Sequence, residues 1–117
     1  MAYNHDRQGC VHGMIIIETS VFTRQVQALL DDEYRRLQTI LVMRPDAGDL
    51  IPGGGGLRKI RWGTQGRGKR GGVRVIYYWA VKQDRILMLL MYAKNEKDNL
   101  TAEQLKGLRR IIEEEYP

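Results

Sequence analysis

The chain has 117 residues and a mass of 13.5 kDa, room for one hydrophobic core and too little for a second. With 43% hydrophobic and 28% charged residues it has the composition of an ordinary globule, which excludes wholesale disorder, and its longest apolar run, Ile86 to Ala93, is far short of the roughly 20 residues that span a bilayer. The net charge of +5 is concentrated: Arg58, Lys59, Arg61, Arg67, Lys69, Arg70 and Arg74 share one stretch without an acidic residue, while elsewhere acids outnumber bases, so the field is focused for a polyanionic partner.

Residues 1–13 show no periodicity and no signal-peptide pattern; they are read as a flexible N-terminal extension outside the fold, and residues 14–117 as one domain. The single cysteine, Cys10, has no internal disulfide partner, in keeping with a reducing, cytoplasmic location. Met14 to Glu18 is dense in β-branched residues and predicts a strand. Thr19 or Ser20 can cap a helix carrying Phe22, Val26, Leu29 and Leu30 at helical spacing, and Asp31 or Asp32 a second helix carrying Tyr34, Leu37, Ile40 and Leu41. An antiparallel helical hairpin follows from this, stopped at Arg44-Pro45.

Asp46 to Gly56, with Pro52 and four successive glycines, predicts a loop. Three strands are expected next, Leu57 to Trp62, Gly72 to Val81 and Arg85 to Ala93, the first two joined by the basic glycine-rich loop Gly63 to Gly71. The odd positions from Val73 to Val81 are all apolar or aromatic and should face helices, while Ile86 to Met91, apolar on both faces, suits a central strand. Thr101 and Gln104 spell a capping box, with Leu100 and Leu105 as its hydrophobic staple, opening a helix from Ala102 to about Glu115. Strands followed by packed helices in this order give an α+β domain.

Gly63 to Lys69 matches most of a phosphate-binding loop, and Gly66 to Gly71 the dinucleotide fingerprint. Both work at a helix N-terminus, and a β-branched, aromatic strand follows here, so neither reading holds. His5, Cys10 and His12 match no common metal-site spacing. With those three set aside with the extension, catalysis is left to Lys, Arg, Tyr and carboxylates, and no metal or cofactor is expected. On the first basic strand alternation puts Lys59 and Arg61 on one face and Arg58, Ile60 and Trp62 on the other. A merely solvated face is the plain reading of those two cations. Arg74 on the neighbouring strand, with Arg67, Lys69 and Arg70 at the loop ends, argues instead for a rigid phosphate site.

Asp49 to Arg61 (DLIPGGGGLRKIR), Gly66 to Tyr78 (GRGKRGGVRVIYY) and Tyr92 to Leu100 (YAKNEKDNL) together resemble the RelE/ParE superfamily of type II toxins, most closely the RelE-like HigB branch, over essentially all of Met14 to Tyr116. The resemblance implies a RelE-like fold: an antiparallel-rich β-sheet with an N-terminal helical hairpin and a C-terminal helix packed on it. It further implies a messenger ribonuclease working in the A site of the 70S ribosome, silenced by a cognate antitoxin protein. Carried over residue by residue, its catalytic set falls on Lys59, Arg61, Arg74 and Lys94, with Arg58, Arg67, Lys69, Arg70 and Tyr92 contacting RNA or ribosome. Asn95 stands where RelE has an arginine, and only Tyr116 lies late enough to match its C-terminal tyrosine, so the general base and acid stay open.

The implied reaction is attack of a ribose 2′-OH on the adjacent phosphate, without a metal. Arg61 and Arg74 would stabilise the charge that builds on the phosphoryl oxygens. Lys59 would act as base if crowding by cations lowers its pKa, and Lys94 as proton donor or second phosphate ligand. Two other classes compete: a ParE-like inhibitor of DNA gyrase on the same fold, and a plain RNA-binding module that leaves its ligand intact.

Overall fold

The computed structural model describes residues 5–11, 13–29, 31–64, 68–93 and 99–116. In chain order the elements are β1 (His5–Val11), β2 (Met14–Thr19), α1 (Ser20–Val26), α2 (Asp31–Met43), β3 (Asp49–Leu50), β4 (Arg58–Thr64), β5 (Gly68–Ala80), β6 (Arg85–Ala93) and α3 (Ala102–Glu115). The strands make one six-stranded sheet in the order β1-β2-β6-β5-β4-β3. Only β2 and β6 run parallel; every other neighbouring pair is antiparallel. This is the α+β, antiparallel-rich architecture that the sequence predicts. No helix among the described residues is long and apolar enough to cross a membrane.

Each face of the sheet has its own core. Phe22, Val26, Leu37 and Leu41 from α1 and α2 pack against Ile16, Val73, Val75, Tyr77, Ile86 and Met88 on one side. On the other, Ile17, Ile76, Leu87, Leu89 and Tyr92 meet Ile112 of α3, with Leu105, Leu108 and Ile111 of the same helix only partly buried. Strand alternation explains the division: consecutive residues such as Val75 and Ile76 fall into opposite cores. The central strand β6, apolar on both faces, serves both. Of the helical hairpin, the structure shows its two helices and a contact between the Phe22 and Tyr34 rings at 5.9 Å; Leu30 lies outside the described residues.

Helix starts follow local chemistry. The Thr19 hydroxyl accepts from the Phe22 N–H at 3.1 Å, capping α1, and donates to the Leu89 carbonyl at 2.9 Å. That second bond has a reason. The β2–β6 ladder ends at Glu18 and Met88, so β6 beyond that point needs other partners, and Gln25 of α1 accepts the Met91 N–H at 2.8 Å. Asp31, Asp32 and Glu33 occupy the first turn of α2, where the helix dipole favours negative charge. At α3 the predicted capping box is present in both directions, and the helix spans the predicted residues.

Three expectations are corrected. Residues 1–13 are not wholly outside the fold: His5–Val11 pairs antiparallel with β2 as an edge strand. Held by main-chain hydrogen bonds, an edge strand needs no apolar alternation, which is why periodicity missed it. Within the predicted loop 46–56, Asp49 and Leu50 pair with Lys59 and Arg58. Val81, expected on the inward face, is 59% exposed, because β5 ends at Ala80 and the chain enters a 3-10 turn closed by left-handed Asp84 (φ 52°).

Candidate functional site

β4 and β5 are antiparallel, and their register sets Arg61 directly opposite Arg74 and Lys59 opposite Ile76. Lys59, Arg61 and Arg74 therefore project from the same face, the one covered by α3. Two arginines facing one another across a ladder, roughly 5 Å apart at Cβ, repel, and a sheet that keeps them is suited to an anion between them. Exposure is graded across the group: Arg61 is exposed, Lys59 half-buried, and Arg74 4% exposed, with its guanidinium reaching the Val73 carbonyl at 3.4 Å.

A glycine permits this approach of β4 to β5. A Cβ on Gly72 would stand 2.1 Å from the Trp62 carbonyl oxygen, so any side chain there would prise the strands apart beside Arg74. The Lys59 ammonium donates to the Asn99 side-chain oxygen at 3.1 Å, tying the site to the segment just before the α3 capping box. Sequence reading missed Asn99. The only local signal was its place two residues before Thr101, which says nothing about a strand forty residues away.

Arg58 points to the opposite face, as alternation requires, and donates to the carbonyls of Gly48 at 2.8 Å and Asp46 at 3.3 Å. Tyr77 holds the same loop: its hydroxyl accepts from the Gly48 N–H at 2.8 Å and donates to the Pro45 carbonyl at 2.7 Å. Burial pushes the Tyr77 phenol above its ordinary pKa, against the opposing pull of the Gly48 hydrogen bond and the Arg58 charge. Gly48 admits no substitute, since a Cβ would meet the Tyr77 ring at 2.8 Å. Arg58 thus braces the segment that delivers β3 alongside Lys59.

Tyr92 pairs with Arg74 across β5 and β6 and is buried in the α3-side core, so it forms a wall of the site and not its rim. Tyr116 stacks on Tyr78 with ring centroids 5.7 Å apart. Tyr78 lies four residues along β5 from Arg74, roughly 13 Å at strand rise, but only two from Ile76, the residue opposite Lys59. Arg67, Lys94 and Asn95 lie outside the described residues, as do His12 and the side chains of Lys69 and Arg70.

The buried acids among the described residues, Glu18 and Glu33, belong to the other face. Glu18 accepts from the Thr23 hydroxyl at 2.8 Å and from the Tyr34 hydroxyl. β1 brings His5 and Cys10 into the sheet, but β1 and β4 are separated by three strands, roughly 19 Å at ordinary spacing. Among the described residues, the site around Arg74 brings together the cations Lys59 and Arg61, the Asn99 amide, the buried Tyr92 and, across the ladder from Lys59, the exposed Asp49. A protein-family profile described as the RelE toxin of the RelE/RelB toxin–antitoxin system matches residues 15–115.

Proposed function

Because this chain belongs to the RelE toxin family, and so is a toxin whose family works with an antitoxin partner, we propose that it is a metal-independent endoribonuclease that cuts messenger RNA in the A site of the 70S ribosome, in the cytoplasm. The observation that carries the reading is the convergence of Lys59, Arg61 and Arg74 on one face of β4 and β5. In the reaction the 2′-oxygen of a ribose bonds to the adjacent phosphorus while the bond from phosphorus to the 5′-oxygen of the next nucleotide breaks. The 2′-OH proton goes to a base, and the leaving oxygen takes up a proton. The products are a 2′,3′-cyclic phosphate and a 5′-OH end.

Charge grows on the phosphoryl oxygens in the transition state. Arg61 and Arg74 meet it with preorganised donors, each contributing about 3 kcal/mol in such sites. Lys59, positioned by Asn99, is the nearest candidate for base or third phosphate ligand, and Lys94 for proton donor. Arg67, Lys69 and Arg70 would grip RNA or ribosome electrostatically, with Arg58 and Tyr92 supporting the site from within. The ribosome would orient the substrate, which accounts for so sparse a catalytic set.

The test is cleavage mapping on translating extracts. Wild type is expected to cut message and leave cyclic phosphate ends, whereas Lys59→Ala and Arg74→Lys each lose about a hundredfold or more in rate. Equal cutting by all three proteins would exclude this mechanism. Inhibition of supercoiling by DNA gyrase with no RNA cut would replace it by the gyrase reading.

A further inference from the structure

Helix α3 carries two neighbouring stripes at intervals of three and four residues, and the sheet takes one of them. Leu105, Leu108, Ile112 and Tyr116 pack on the core of that face. The other stripe, Gln104, Gly107, Ile111 and Glu114, lines a groove of about 420 Å³ together with Leu108, Arg110 and Leu90 of β6. Gly107, Arg110 and Glu114 are exposed, and Leu90, Leu108 and Ile111 half-buried, so an apolar floor stands open beside charged side chains.

Gly107 is the residue that asks for an explanation. A glycine in mid-helix weakens the helix relative to alanine. Here the backbone is helical and not left-handed, and a Cβ would meet nothing within 4 Å. Neither conformation nor packing within the chain therefore calls for glycine, whereas a close approach from outside does.

The stripe is complementary to itself. Two copies of α3 laid antiparallel about a two-fold axis level with residue 109 set Ile111 of each against Gly107 of the other, a knob entering a hole. The same rotation sets Gln104 against Glu114. The Gln104 Oε1 accepts the Thr101 N–H at 3.0 Å, and its Nε2 is turned to donate to the carboxylate of the other copy. Leu108 meets Leu108 along one flank. A contact that pairs a surface with itself is the signature of an isologous interface; an unrelated partner has no need of a groove that fits its own rim.

We infer that two copies of this chain form a weak symmetric dimer in which the stripes of Gln104, Gly107, Ile111 and Glu114 pack antiparallel. The inference does not depend on the nuclease reading. One face of a helix with Leu90 beside it is smaller than a standard interface, so dissociation is expected on the order of 100 µM. The two Arg110 side chains on the second flank and the +5 charge of each copy oppose association, and added salt should tighten it.

Sedimentation equilibrium of the purified chain from about 10 µM to 1 mM tests the pairing, with wild type expected to pass from monomer to dimer across that range. Gly107→Glu fills the hole with a charge that would have to be buried, and should weaken the dimer by about tenfold or more. Glutamate is the better helix former, so circular dichroism should show α3 intact, and the loss cannot be one of folding. Lys106→Gln, the same change of net charge on the exposed outer side of α3, should leave the dimer as it is. A monomer at every concentration, as expected were the groove instead a seat for the antitoxin, overturns the inference. So does a dimer that Gly107→Glu leaves unchanged, or that Lys106→Gln weakens as much.

Discussion

The two faces of the sheet solve different problems. On the side of α1 and α2, Phe22, Leu37, Leu41 and Tyr77 are fully buried, and one of the two buried acids there, Glu18, is met by two hydroxyl donors. On the side of α3 only Ile112 of the helix is buried, and the cations gather on β4 and β5. A cation cluster resists complete covering, because desolvating it costs far more than the apolar area gained. The first face can therefore secure the fold, and the second can hold charge ready for a ligand because it is not asked to do so.

The sharpest way to break this comparison is to cut into the closed face. Phe22→Ala should lower unfolding stability by about 3–5 kcal/mol in denaturant titration, since the space left beside Tyr34 and Met88 cannot collapse fully. Arg61→Ala should do the reverse: message cleavage falls about 10²- to 10³-fold while the unfolding midpoint hardly moves, as expected of an exposed residue. Tyr77→Phe should cost about 1–3 kcal/mol by leaving the Gly48 N–H and the Pro45 carbonyl without their partner. Because burial raises the Tyr77 phenol above 10.0, its contribution is complete below that pH and is lost as pH rises through the higher folded value. The alkaline fall in stability should accordingly be shallower in Tyr77→Phe. Leu108→Ala, on half-buried α3, should cost least, about 1 kcal/mol. A loss equal to that of Phe22→Ala would show that α3 carries the fold as much as α1 and α2 do.

Legibility along the chain followed the strength of local chemistry. The capping box at Thr101 and Gln104 located α3, alternation located β5, and a run apolar on both faces located β6, because those signals act over a few residues. Alternation alone also separated Arg58 from Lys59 and Arg61. It could not say that Arg58 is committed to the carbonyls of Gly48 and Asp46, or that Tyr92 is buried behind Arg74. Asn99 was invisible because its partner, Lys59, is distant in sequence.

By itself the sequence determined the α+β class, the helix starts, the strand periods and which cations share a strand face, since each depends on neighbours in the chain. Only the tertiary structure decided that Arg61 stands opposite Arg74, that β1 joins the sheet and that β3 pairs with β4 at Arg58 and Lys59. Those depend on register between distant strands, where a slip of one residue would send every side chain to the other face.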